Sequence, residues 1–319
     1  MQGFNPVLLR QSLTTFHKSG LLRPDTAWHA YLTLYKLAPL QSQYQLRVGL
    51  VKCEQVDLAV QYYTQQTTSR GTVVLIHGYM DHVGLYSRLM GCLLEQGWDV
   101  LCYDLPGHGL SSGSGYSIDH FSTYAAQLDI ILQSTHLKGP CVALGQSTGG
   151  AIVLAHQQLV SQRLSVDPFS QRILLAPLIR PAQYPFIRLK YSLLRFFLRR
   201  VRRFHGINSH DDAFVHFIRS QDPLQKQWVA VNWIGAMLEW VELIEAGQPQ
   251  HIDMTVIQGT ADETVDWQHN LSVLGRLFPL LRVELIEAGR HHLANEGLAW
   301  RQQVFDKISE VLAGCRAEH

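Results

Sequence analysis

At 319 residues, with 46% hydrophobic and 17% charged side chains, the chain can bury a sizeable core and is neither a fibre nor a disordered tail. Its formal net charge of +1 offers no global field to nucleic acid, so any charged partner has to be met by a local patch. The five cysteines, Cys53, Cys92, Cys102, Cys141 and Cys315, are odd in number and three lie in apolar strand-like runs, which reads as reduced core thiols of a cytoplasmic protein and not as a disulfide framework.

The opening MQGFNPVLLRQSLTTFHKSG has only a short apolar run broken by Arg10 and Gln11, unlike a secretory leader. No stretch approaches the roughly 18 apolar residues of a spanning helix. Residues 1–40 are expected to form a helical extension of two short helices, the second capped by Asp25 or Thr26. From Tyr44 to Tyr63 the pattern is that of a β-hairpin.

Alternation of strand and helix then begins. GTVVLIHG is an apolar strand, Leu85–Gln96 a helix, WDVLCYD a strand, Phe121–Leu132 a helix, CVALGQ a strand, and a further helix runs from Ala151 before the strand QRILLAP. Strands with little two-residue alternation, separated by helices, predict a mostly parallel sheet covered on both faces, an α/β fold. The rhythm stops at Pro177 and resumes at IDMTVIQG, with a helix near Val265–Leu277, the strand RVELIEAG and a last helix near Glu296–Leu312. The expected organisation is an extension (1–40), a core in two parts (41–177 and 251–319), and a helical lid insertion (178–250) over the strands' C-terminal ends, where open parallel sheets bind ligands.

The candidate chemistry lies in the loops after strands. Ser147, in GQSTGG, sits where a strand turns into a helix, as in a nucleophile elbow. A serine needs a base and the base needs an orienting acid. Asp262 follows one resumed strand and His291 the next, in the order serine, acid, histidine. Asp266 competes as the acid but suits a helix cap, and His292 competes as the base but suits a polar cap or lid contact. The backbone N–H groups of Tyr79 and Thr148 are the expected oxyanion donors. His77 reads as a structural hydrogen-bonding residue, and Asp104 and His108 as braces of the YDLPGHGLSSGSG loop. That loop lacks the dinucleotide-binding glycine spacing, the elbow lacks the Lys-Ser/Thr of a phosphate loop, and no His or Cys cluster has metal-ligand spacing. No metal and no cofactor are expected.

Together HGYMDHVGLY, YDLPGHGLSSG, GQSTGG, QGTAD and GRHHLANE resemble the α/β-hydrolase superfamily, in its monoacylglycerol lipase and bacterial lysophospholipase branch, also grouped as serine aminopeptidase-like hydrolases. The resemblance spans Tyr44 to Leu312. It implies a lid-bearing α/β-hydrolase fold, Ser147 as nucleophile, Asp262 as acid, His291 as base and Tyr79 and Thr148 as oxyanion-hole amides. The chain departs from the family pattern at Gln146, where histidine is common, at Thr148, where methionine is frequent, and at Pro106, where arginine is common. A serine elbow disfavours the haloalkane dehalogenases and epoxide hydrolases, which use aspartate. The implied activity is cleavage of apolar or lipid esters such as monoacylglycerol or lysophospholipid, with amidase, peptidase, acyltransferase and a non-catalytic binding protein as alternatives.

Two insertion segments complete the reading. FIRLKYSLLRFFLRRVRRFH, 186–205, interleaves seven basic residues with aromatic and aliphatic ones and contains no acid. A helix of this kind either lies on an anionic membrane or packs as an ordinary lid. No nucleic-acid reader motif accompanies it. In WVAVNWIGAMLEWVELIEAG, Trp233, Met237, Trp240 and Val241 are candidates for an acyl pocket, with core packing as the alternative. Nothing in the pattern sets an oligomeric state.

Overall fold

The computed structural model describes residues 4–163, 165–203 and 206–315, so Phe204 and His205 of the basic stretch and the outermost residues of the first and last segments lie outside it. Helices α1 (Pro6–Gln11), α2 (Thr26–Leu34) and α3 (Ala38–Gln43) precede the sheet. Asn5 and Asp25 cap the first two through their side-chain oxygens, satisfying amides that a helix start leaves open. Phe4, Trp28, Tyr31 and Tyr35 pack edge to face on one another, so this segment has a buried face of its own.

Strands β1 (Gln45–Cys53) and β2 (Val56–Thr64) form the expected antiparallel hairpin. They are followed by β3 (Thr72–Ile76), α4 (Ser87–Glu95), β4 (Asp99–Tyr103), α5 (Phe121–Thr135), β5 (Cys141–Gln146), α6 (Thr148–Arg163) and β6 (Gln171–Leu175). After an insertion come β9 (Met254–Gly259), α10 (Trp267–Leu277), β10 (Leu281–Ile286) and α11 (Leu298–Gly314). Among the described residues these strands form one sheet in the order β1-β2-β4-β3-β5-β6-β9-β10, parallel from β4 to β10. Strands β3, β4, β5 and β9 are buried at every position, and two apolar clusters form around the sheet.

The insertion between β6 and β9 holds α7 (Tyr184–Leu194), β7 (Arg200–Arg202), α8 (Asp212–Ser220), β8 (Trp228–Ala230) and α9 (Val231–Glu245). Helix alone does not describe it, because β7 and β8 pair as an antiparallel ribbon. The basic stretch is helical only as far as Leu194. Continuing that helix would stack Arg195, Arg199 and Arg203 at intervals of four, a like-charge row that destabilises a helix. The ribbon instead puts Arg200 and Arg202 on one face and Val201 on the other, and the Arg200 guanidinium lies 4.6 Å over the Trp228 ring. No described helix is long and apolar enough to cross a membrane.

Candidate active site

Ser147 occupies the turn between β5 and α6 with φ of 55°, a left-handed backbone that non-glycine residues rarely adopt. The flanking glycines make the turn possible. A Cβ on Gly145 would sit 2.4 Å from the Gly149 carbonyl carbon, and one on Gly149 would sit 2.1 Å from the Ile76 carbonyl oxygen. α6 begins at Thr148, three residues before the expected Ala151, so the serine stands directly at the helix N-terminus.

His291 Nε2 lies 2.9 Å from Ser147 Oγ, and His291 Nδ1 lies 2.7 Å from Asp262 Oδ2. The structure thus brings the three residues together from loops after β5, β9 and β10. Asp262 is fixed by more than histidine: Thr264 and Val265 donate backbone N–H bonds to Oδ1 at 2.8 and 3.2 Å, and Gln258 donates from Nε2 to Oδ2 at 3.1 Å. Burial disfavours its charge, but the His291 ring and these donors outweigh that and hold its pKa below the ordinary carboxylate value. Burial likewise opposes the imidazolium of His291, and Asp262 reverses the balance, raising the histidine's pKa above its ordinary value. Asp266 caps α10 by accepting from the His269 N–H at 3.3 Å. His292 Nε2 instead lies 3.1 Å from Asp81 Oδ2, a carboxylate that also accepts from the Tyr86 hydroxyl at 2.8 Å.

The loop after β3 comes close to the serine, since a Cβ on Gly78 would be 3.4 Å from Ser147 Cβ. Among the described residues neither the Tyr79 nor the Thr148 N–H makes a hydrogen bond, and both residues line the cavity at Ser147. Two buried histidines hold this loop. His77 Nε2 accepts from the Leu105 N–H and His108 Nε2 accepts from the Met80 N–H, both at 3.0 Å, while each Nδ1 bonds a backbone carbonyl. That pattern fits neutral rings, and burial lowers the pKa of both. Asp104 accepts from the Val83 and Leu110 N–H groups at 2.8 Å, tying its own loop to the one that follows β3.

The cavity over Ser147 measures about 290 Å³. Its walls include Leu178, Pro181, Ile218, Val229 and Trp233 from the insertion, together with Arg203, Asp81 and His292. Trp233 stacks on Tyr79 with ring centres 3.6 Å apart. Met237, Trp240 and Val241 do not line it. They are buried in the core, where Trp240 donates its indole N–H to the Leu178 carbonyl at 2.9 Å and stacks on Phe121. Trp240 thus packs α9 onto α5 and the loop after β6, with Met237 and Val241 buried on the same helix. A larger groove of about 940 Å³, bounded by Tyr191, Phe196, Trp228 and Arg200, lies along the insertion and does not include Ser147.

Sequence reasoning passed over Gln258, the Asp81–His292 pair and the place of Arg203 in the cavity wall. Gln258 carried a usable signal, being a polar residue inside an apolar strand that ends at the candidate acid. Among the described residues no group of three or more His, Cys, Asp or Glu side chains is placed to hold a metal ion.

The model of the family described as serine aminopeptidase, S33, matches residues 67–297. A rat monoglyceride lipase is 26% identical over 239 residues, covering 72% of this chain and 77% of its own. Among solved structures, a monoglyceride lipase from Saccharomyces cerevisiae bound to a substrate analogue aligns with a TM-score of 0.72 at 19% identity, over 84% of this chain and 94% of that one. A monoacylglycerol lipase from Paleococcus ferrophilus aligns with a TM-score of 0.68 at 20% identity, over 80% of this chain and 98% of the other. The two solved structures share the fold. With the sheet order, the serine turn and a family match over most of its length, the chain belongs to the serine aminopeptidase S33 family of α/β-hydrolases.

Proposed function

We propose that this protein is a serine hydrolase that cleaves esters of apolar or lipid acids, such as monoacylglycerol or lysophospholipid, through an acyl-enzyme. The observation that carries the reading is the chain of contacts from Ser147 Oγ through His291 to Asp262, at 2.9 and 2.7 Å. Attack of Ser147 Oγ on the ester carbonyl forms the C–O bond while His291 Nε2 takes the hydroxyl proton. Asp262 holds the Nδ1–H tautomer and stabilises the imidazolium. The Tyr79 and Thr148 amides receive the oxyanion, each contributing about 3 kcal/mol. Collapse breaks the bond to the leaving alcohol, which takes the proton from His291. Water then repeats the cycle on the acyl-enzyme and returns Ser147.

The apolar cavity walls and the similarity to monoglyceride lipases support a lipid acyl group over a peptide. An aminopeptidase also needs a carboxylate for the substrate's ammonium, and the carboxylate in the cavity wall, Asp81, is engaged by Tyr86 and His292. In this reading residues 178–250 are the lid, set between core segments 41–177 and 251–319, with 1–40 as an extension. The same reading places a cytoplasmic enzyme against an anionic membrane. Phe186, Leu189, Leu193, Phe196 and Phe197 are exposed beside Arg188, Lys190, Arg195, Arg199 and Arg200.

The test is a matched panel of p-nitrophenyl esters of increasing chain length, with monoacylglycerol and lysophospholipid, each beside a Ser147→Ala control. Serine-dependent turnover that rises with chain length is the expected result. Equal turnover by the control would remove Ser147 from the mechanism, and turnover confined to amides would replace the ester reading.

A further inference from the structure

Arg203 stands in the wall of the same cavity as Ser147. It follows β7 directly, where its backbone N–H donates to the Gln227 carbonyl at 2.8 Å and its Nη1 donates to the Gln225 side-chain oxygen. Gln225 is neutral. No carboxylate among the described residues lies within ion-pair distance of Arg203, in contrast to Arg88 with Asp211 at 2.7 Å and Arg180 with Glu245 at 2.5 Å. The acids that most affect it electrostatically, Asp81 and Asp222, have nearer partners: Tyr86 and His292 for the first, His82 and Tyr35 for the second.

Burial lowers the Arg203 pKa from its ordinary value, with Asp81 pulling it back up. A guanidinium nonetheless stays protonated in proteins. Holding a half-buried cation by a neutral acceptor is costly, and an incoming anion relieves the cost. The planar fork suits the two oxygens of a phosphate or carboxylate. Arg219, whose Nη2 donates to the Gly206 carbonyl at 3.1 Å, lines the cavity as well.

We propose that Arg203 binds an anionic group, phosphate or carboxylate, carried by the substrate, so that the favoured ester is negatively charged and not a neutral glyceride. The proposal rests on Ser147 being the nucleophile, and it concerns the substrate's charge, not its chain length.

Short soluble esters test it without involving the exposed basic surface. Monobutyrin is compared with the butyryl ester of glycerol 3-phosphate, which places phosphate on the leaving alcohol, and with glycerol monoglutarate, which places carboxylate on the acyl group. At least one anionic ester should exceed monobutyrin in kcat/KM by about tenfold, and the arm that does identifies which group is read. Arg203→Gln should lower that ratio at least tenfold, mainly through KM, and Arg203→Lys should retain part of it. An unchanged ratio in Arg203→Gln, or a preference for monobutyrin in the unaltered protein, would overturn the proposal.

A binding arm separates this proposal from the hydrolase reading. Calorimetric titration of the Ser147→Ala protein with glycerol 3-phosphate and with glutarate should give binding that Arg203→Gln abolishes. Binding lost in that variant, with no serine-dependent turnover of any ester, would remove the hydrolase reading and leave the anion site. No binding of either anion would remove the site itself.

Discussion

Gln146 donates from Nε2 to the carbonyl oxygen of His291 at 2.9 Å, so the residue before the serine holds the loop that carries the histidine. Its Oε1 also accepts from the Ala294 N–H at 3.4 Å, and the whole side chain is buried. Replacing it frees the backbone at the position where Nε2 must meet Ser147 Oγ. Gln146→Ala is expected to lower kcat about tenfold or more, since small misplacements of a reacting group are costly. Thermal unfolding of the variant should show a loss of about 1–3 kcal/mol, the usual result of leaving a buried carbonyl unpaired. Full activity in a protein that has lost this hydrogen bond would mean that the histidine loop positions itself.

The pH profile follows from the same pair. His291 has to be neutral to take a proton, and Asp262 raises its pKa above the ordinary value of 6.5. The acid limb of kcat/KM is therefore expected above pH 6.5, and Asp262→Asn should move it down while cutting kcat by about 10⁴-fold. For stability the signs differ between the partners. The raised His291 pKa contributes stability below its unfolded value that is lost as pH rises through the folded one. The depressed Asp262 pKa contributes stability above 3.8 that is lost as pH falls through its folded value. Urea midpoints across that range, with and without Asp262→Asn, check both signs.

Gly149 and Gly275 make a steric contrast. A methyl group on Gly149 would press on the Ile76 carbonyl oxygen, which belongs to a central strand that cannot yield, whereas nothing lies within 4 Å of a Cβ on Gly275 in α10. Gly149→Ala should cost about 3 kcal/mol or more, and Gly275→Ala should gain about 0.5–1 kcal/mol. Chemical denaturation of the two variants side by side decides it. Equal stability would show that the serine turn has room to relax.

The exposed surface of the insertion predicts salt-sensitive membrane attachment. Removing two cations near an anionic surface, with Arg199→Gln and Arg200→Gln, should weaken binding by about 2 kcal/mol, a factor of roughly thirty. Phe196 and Phe197 are 77% and 82% exposed, and replacing both with serine should weaken it by removing the apolar contribution. Flotation with vesicles containing anionic lipid, at low and high salt, reads both effects. Retention that ignores salt and all four substitutions would exclude this surface.

The central sheet was legible because its parallel strands are short, largely apolar runs separated by helix-length segments. Ser147, Asp262 and His291 were legible for a related reason, since each lies in the loop that follows a strand of the sheet. The ribbon was not. Arg200–Arg202 and Trp228–Ala230 are three-residue strands, too short to show a period, and their pairing across the insertion is what puts Arg203 into the cavity wall. In the sequence Arg203 looks like its neighbours Arg199, Arg200 and Arg202. The fates of Trp233 and Trp240 were equally hidden, because spacing places both on α9 but the packing of that helix decides which one meets the cavity.

Two segments of the insertion, α7 and the stretch around α8, are anchored very differently. Asp222 accepts from the Tyr35 hydroxyl at 2.7 Å and bonds His82 at 2.8 Å, Asp211 pairs with Arg88 at 2.7 Å, and the Ser209 hydroxyl donates to the Asn295 carbonyl at 2.7 Å. The segment around α8 is thus riveted to the N-terminal helices, the loop after β3 and the loop after β10. Displacing it would expose unpaired buried charges. α7 and the turn after it are instead mostly exposed and hold few such bonds. The cavity wall that Ile218 of α8 supplies is therefore fixed, whereas the exposed segment that presents arginines and phenylalanines to the surroundings lies outside that wall.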